Sequence, residues 1–154
     1  MGAVSSYDPN HRGVAAIITD GTAYVLQQKD AGYTDHPHGY SWFSGAMEPD
    51  ETPDQAIRRE LREELPSAAE TLINSIRRPH KVQTIIADYK GERHLYPLHV
   101  FFCDVSTDFL GSYRTWEVTE GARALVALRP DLDKLDWVWG LEPTLALIPM
   151  GMPR

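Results

Sequence analysis

A single cysteine, Cys103, stands in a chain of 154 residues, and this excludes an intrachain disulfide. It lies in the apolar run Val100-Phe101-Phe102-Cys103 and reads as a buried thiol rather than a nucleophile. One unpaired thiol fits a reducing compartment. No run of eighteen apolar residues occurs, so no segment predicts a membrane-spanning helix. No signal-peptide pattern is present either, and the expected location is the cytoplasm. Positive charge is scarce: Lys+Arg number 15 against 22 Asp+Glu, a net charge of −7. That balance argues against broad affinity for nucleic acid or an anionic membrane. A phosphorylated ligand must therefore be met by local cations or by a bound metal. Internal repeats are absent, and no linker is long enough to separate two domains. The composition is ordinary for a globular protein. It predicts one domain over residues 13–154, preceded by a polar, flexible arm over residues 1–12.

What is present begins with two strand patterns. Residues 13–19 (GVAAIIT) read as a buried strand, Asp20-Gly21 as a two-residue hairpin turn, and residues 22–29 as the returning strand. A loop rich in Gly, Pro, His and Asp follows to Tyr40, and Tyr40-Ser41-Trp42-Phe43 reads as a short strand. Further on, residues 67–76 predict a short second helix. Residues 82–89 and 94–105 predict two strands around Lys90-Gly91, residues 107–115 a loop, residues 123–128 a strand and residues 143–148 a closing helix. Strands flanked by a few helices, joined by hairpins rather than repeated βαβ units, predict an α/β fold with a mixed central sheet.

The stretch 45–64, GAMEPDETPDQAIRRELREE, is the most informative. Thr52 suits an N-cap, Pro53 the first helical position, and Gln55 completes a Thr-x-x-Gln capping box. Pro66 cannot continue the helix. At 3.6 residues per turn Glu60, Glu63 and Glu64 share one face, beside the apolar stripe Ile57, Leu61 and Leu65. Like charges at this spacing repel, and a solvated face laced with Glu–Arg pairs is the ordinary reason to find them. Clustered carboxylates are also the hard oxygen ligands that Mg²⁺ or Mn²⁺ prefers.

The wider spacing decides between these readings. Gly45 is followed by five residues and Glu51, then by seven residues and Arg59-Glu60-Leu61-Arg62-Glu63-Glu64. This resembles the Nudix box, G-(x)5-E-(x)7-R-E-U-x-E-E-x-G-U, with U a bulky apolar residue. Six fixed residues, each present at roughly 6% in ordinary composition, meet this spacing by chance on the order of once in a hundred thousand chains. The chain departs from the pattern at the end, where Pro66-Ser67 replaces Gly-U, and at Ser44, which stands where a second glycine is usual. If position 44 required a positive φ, serine would be strained there.

The resemblance implies a Nudix-type α/β/α sandwich and a metal-dependent hydrolase. Its substrate would be a nucleoside diphosphate linked to another moiety: a phosphate, a sugar or a second nucleoside. Mg²⁺, or Mn²⁺, would be held by Glu60 and Glu64, with Glu63 assisting and the Ser44 carbonyl contributing. Arg59 would orient a catalytic carboxylate through Glu60 or Glu51, and Gly45 and Glu51 would support the ligands from behind. The general base would be Glu63, or Glu117 or Glu120 from a later loop. The residues suggest Tyr40 and Trp42, with Tyr33 and Trp116, as stacking surfaces for a base. Lys29 and Arg12, with Arg93 and Arg114, are phosphate candidates. His36-Pro37-His38 offers too few ligands for a zinc site. A homodimer is a further expectation from the family, with Trp137, Val138 and Trp139 as interface candidates. The alternative function is a nucleotide-sensing module on the same scaffold, allowed by the departures at Ser44 and Pro66. A thiol-dependent isomerase on this scaffold would need a reactive cysteine that Cys103 does not supply.

Overall fold

The computed structural model describes residues 10–30, 38–89, 91–119, 122–138 and 140–148. Seven strands form one mixed sheet: β1 (Gly13–Thr19), β2 (Ala23–Lys29), β3 (Tyr40–Ser41), β4 (Phe43–Ala46), β5 (Lys81–Tyr89), β6 (Glu92–Asp104) and β7 (Ala122–Leu128). The helices are α1 (Pro53–Glu64), α2 (Ala69–Asn74), α3 (Thr107–Gly111) and α4 (Arg129–Leu132), with 3₁₀ turns at Tyr113–Thr115 and Glu142–Leu147.

β1 and β6 run parallel in register from Gly13↔Leu98 to Thr19↔Asp104, and the other strand pairs are antiparallel. β1 and β2 touch only at the turn end, Ile18↔Val25 and Thr19↔Tyr24. Beyond that they diverge, and β3 and β4 fill the gap. β3 pairs with β2 at Gln27 and Gln28, while β4 pairs with β1 from Gly13 to Ala16. The single strand expected over residues 40–43 is thus two strands on two partners, with Trp42 at the break. This wedge carries Gly45 onto the sheet directly before α1.

Each face of the sheet covers its own apolar layer, as period-2 alternation requires. Val14, Ala16, Ile18, Val25 and Phe43 point to α1 and α2, where they meet Ile57, Leu61 and Leu72. Ala15, Ile17, Leu26 and Trp42 point the other way, onto Leu132, Trp137 and Leu145. The sandwich is α/β/α, but its second outer layer consists of α4 and the 3₁₀ turn Glu142–Leu147. The closing helix expected over residues 143–148 has that tighter winding. Residues 107–115, expected as a loop, contain α3, whose N-cap Ser106 accepts from the Phe109 N–H at 3.0 Å. Trp137 and Val138 are interior, 8% and 0% exposed, so they do not serve as an interface. Trp139 lies outside the described residues. Cys103 is fully buried, and burial pushes its thiol up to about 12. Among the described residues no helix is long and apolar enough to cross a membrane.

Candidate active site

α1 begins as its sequence dictates. The Thr52 side chain accepts from the Gln55 N–H at 3.1 Å, the Gln55 side chain accepts from the Thr52 N–H at 2.9 Å, and Pro53 occupies the first turn. Ala56, Ile57 and Leu61 are buried against the sheet. This packing fixes the rotation of the helix, and with it the direction of its carboxylates.

Arg59 ties the helix to the loop before it. Its Nε and Nη2 donate to the two Glu51 oxygens at 2.6 and 2.8 Å, a fork matched to a carboxylate. Nη2 also reaches the Ala46 carbonyl at 3.0 Å, and Nη1 donates to Glu60 at 3.0 Å and to Glu63 at 3.1 Å. The hydrogen bonds from Arg59 hold the Glu51 carboxyl down to about 2, with help from the Glu48 N–H at 2.8 Å. Arg12 braces the same loop: Nη2 donates to the Glu48 and Pro49 carbonyls, each at 3.2 Å, and its own carbonyl accepts from the Met47 N–H.

Glu60 lies against the backbone of Gly45. A β-carbon at position 45 would overlap the Glu60 carboxylate, so glycine is required here for close approach. Gly45→Ala is therefore expected to force the Glu60 carboxylate to move, with a loss of activity of at least about tenfold that exceeds any loss of stability. Steady-state kinetics and thermal melting of the variant check this. Glu60 is buried and its pKa is raised, chiefly by burial and against the pull of Arg59. Glu64 is raised further, to about 7, by burial and then by the charge of Glu60. One of its oxygens, Oε1, is buried without a hydrogen-bond partner.

β2 supplies the opposite wall. Gln27 and Lys29 project from the same face of the strand as Val25, toward α1. The Lys29 ammonium donates to Gln27 Oε1 at 2.8 Å, and Ser41 Oγ donates to the same oxygen at 3.1 Å. Burial lowers the Lys29 pKa, while the charges of Glu64 and Glu60 raise it. Lys29 and Gln27 in turn partly offset the rise at Glu64. Lys29 was legible as a candidate; Gln27 was not, because a glutamine in a strand carries no motif.

The C-terminal end of α1 is closed by a loop from far along the chain. The Thr119 N–H donates to the Glu64 carbonyl at 3.1 Å, and its hydroxyl donates to the Glu63 carbonyl. Ser67 Oγ accepts from the Glu117 N–H at 2.8 Å. The departure at Pro66-Ser67 thus ends the helix and anchors this loop. Glu117 is exposed beside that end, and Glu120 lies outside the described residues, as do Tyr33 and His36. Ser44 sits in β4 opposite Ala15. Among the described residues His38 is the one non-glycine with a positive φ, so Ser44 carries no such strain.

Two substrate candidates are misplaced. Trp42 is 0% exposed, donates to Thr144 Oγ1 at 2.8 Å and packs on Trp137 with ring centroids 4.9 Å apart. Tyr40 packs against the same layer, on the opposite face of the sheet from α1. Neither can reach a ligand at the acidic helix. The glutamate trio is also divided. Glu60 is buried and Glu64 beside it half-buried, whereas the Glu63 side chain is 59% exposed and turned to Arg59. Among the described residues no three His, Cys, Asp or Glu side chains converge tightly enough to hold an ion as they stand. The Glu60–Glu64 pair nevertheless fits a divalent cation. Two desolvated carboxylates and an orphaned oxygen are a hard anionic donor set lacking a partner.

A model of the NUDIX domain matches residues 9–134 of the chain. The chain belongs to the Nudix family. As such it is, in general class, a Nudix-type pyrophosphohydrolase. Among curated proteins no sequence matches the chain at a significant level. Solved structures share its fold. The E. coli ORF135 protein is 24% identical, with a TM-score of 0.59 over 88% of this chain and 86% of that one. The MutT protein of Methanosarcina mazei is 13% identical, with a TM-score of 0.64 over 94% and 96%. A bifunctional NMN adenylyltransferase/ADP-ribose pyrophosphatase from Francisella tularensis, complexed with AMP and Mn, is 20% identical with a TM-score of 0.59. There the match covers 94% of this Nudix chain and 42% of the other.

Proposed function

We propose that this Nudix protein hydrolyses the pyrophosphate link of a nucleoside diphosphate joined to a second moiety, in the presence of Mg²⁺ or Mn²⁺. The observation that carries the reading is the Glu60–Glu64 pair with a buried, unsatisfied Glu64 oxygen, Glu60 being held in place by Gly45 and Arg59. Glu60 and Glu64 would hold the cation, and Glu63, now bonded to Arg59, would assist them. When bound, the cation neutralises diphosphate charge and lowers the pKa of a coordinated water.

The chain's own residues do the rest. Arg59 keeps Glu51 ionised and fixes the loop-to-helix geometry, so the carboxylates need no reorganisation on binding. Lys29, coupled by charge to Glu64 and Glu60, would meet a phosphate oxygen. Glu63, exposed on α1, or Glu117, exposed on the loop that docks past its end, would accept a proton from water. Arg12 braces the loop 45–52 through the Glu48 and Pro49 carbonyls. The cytoplasm is the proposed compartment, in keeping with the single buried thiol.

A panel of nucleoside triphosphates, nucleotide sugars and dinucleoside polyphosphates, incubated with Mg²⁺, is expected to yield released nucleotide, and none with excess chelator. Stable binding with ligand recovered intact after hours would instead establish the sensing module. That alternative draws no support from Ser44, whose backbone is unstrained.

A further inference from the structure

Glu64, one of the two proposed cation ligands, is the last residue of α1. A helix frays at that point, because its final carbonyls have no partner within the helix. A glycine in the left-handed conformation just past the end is the common remedy. This chain does not use it. Leu65 caps α1 at φ −133° and ψ 62°, and Pro66 stands where the box pattern has glycine.

The final carbonyls are met from far along the chain. Thr119, 56 residues from Glu63, donates its hydroxyl to the Glu63 carbonyl and its N–H to the Glu64 carbonyl, the latter at 3.1 Å. Two features hold Thr119 there. Ser67 Oγ accepts from the Glu117 N–H at 2.8 Å. Trp116 is buried, and Val118 partly buried, in the apolar layer that also takes Ile57, Leu61 and Leu65 of the helix. Apolar side chains thus seat the loop on the core, and its threonine meets the open end of α1.

We propose that Thr119 is a positioning residue for the cation: it closes the end of α1 and so holds the Glu64 backbone where its carboxylate pairs with that of Glu60. This rests on the reading that Glu60 and Glu64 hold a divalent ion, and adds that a loop remote in sequence sets the affinity. Pro66 and Ser67 then belong to the same device. The proline ends the helix, and the serine anchors the loop that caps it.

Two readouts on the full chain test this, both well below its melting temperature: amide hydrogen exchange of Leu65 without metal, and calorimetric titration with Mg²⁺. The Leu65 N–H donates to the Leu61 carbonyl at 2.8 Å and reports opening of the last turn. Thr119→Val keeps the shape and the N–H but removes the hydroxyl. It is expected to speed Leu65 exchange and to weaken Mg²⁺ binding, each by about fivefold, the effect of one hydrogen bond. Thr119→Ser retains a hydroxyl and is expected to stay within twofold of the wild type in both. Ser67→Ala, which loosens the loop alone, shifts both in the same direction as the valine. Mg²⁺ affinity within twofold of the wild type in Thr119→Val, or a serine variant no better than the valine, overturns the proposal. So does weakened Mg²⁺ binding with Leu65 exchange unchanged, since the effect would not pass through the helix end. If Leu65 exchange responds as expected while the wild type binds no Mg²⁺, the helix cap stands, and the cation reading falls together with the positioning role.

Discussion

Glu64→Gln is expected to lower kcat/KM by about a thousandfold while making the metal-free protein more stable at pH 8. The two effects have one origin. A carboxylate that holds the cation supplies several kcal/mol to the transition state, and about 4 kcal/mol is a factor of a thousand. Without the cation the same carboxylate is a liability, because burial and the neighbouring Glu60 charge push its pKa up to about 7. In the unfolded chain Glu64 titrates near its ordinary value of 4.5. Between those two values the folded state retains a proton that the unfolded state has lost, so this group's contribution to stability falls as pH rises. Above about pH 7 both states are ionised and the full penalty remains. Glutamine removes it, for an expected gain on the order of 2 kcal/mol at pH 8 and none below about pH 4. Chemical denaturation with chelator at pH 4.5, 6 and 8 checks the gain. The denaturation midpoint of the wild type should recover with Mg²⁺, whereas that of the variant should not. A variant that is less stable than the wild type throughout would show that Glu64 is already satisfied.

The second large effect is at Arg59. Its guanidinium makes hydrogen bonds to Glu51, Glu60, Glu63 and the Ala46 carbonyl, and is 23% exposed. Arg59→Ala leaves three carboxylates repelling one another and is expected to cost about 2 kcal/mol of stability, the partial exposure reducing what a buried pair would lose. Activity falls by about a hundredfold, since the loop bearing Gly45 no longer fixes Glu60. Arg59→Lys is expected to recover little of either, because one ammonium cannot supply the planar fork that spans Glu51 and Glu60 together. Denaturant midpoints and kcat/KM of the two variants decide it. If lysine restores both within twofold, net charge at position 59 matters and the fork does not.

Much of this site was legible in the sequence because it is local. A capping box, a helix-terminating proline and three glutamates at i, i+3 and i+4 fix a helix and a face without tertiary information. The resemblance implied that Arg59 pairs with Glu60 or Glu51, and its fork meets Glu51 with one further bond to Glu60. What failed was tertiary in origin. Tyr40 and Trp42 are aromatic at a strand beside the box, but alternation along a strand does not say which face is the core. That face was set by the divergence of β1 and β2 and by Thr144, 102 residues away. α3 is five residues long, too short to show a helical period. Gln27, and the docking of Thr119 on the end of α1, depend on strand register and on a loop arriving from residues 117–119. The division of the glutamate trio depends on rotamers: Glu63 reaches Arg59 rather than Glu60 and Glu64.

The central claim is that Glu60 and Glu64 are a desolvated carboxylate pair built for a divalent cation. Calorimetric titration of Mg²⁺ at pH 6.5, into wild type and Glu64→Gln in two buffers of different ionisation enthalpy, tests it most directly. The expected result is saturable binding by the wild type with release of a substantial fraction of a proton, lost in the variant. Mg²⁺ heats that are the same in both proteins, with no dependence on buffer, would contradict it.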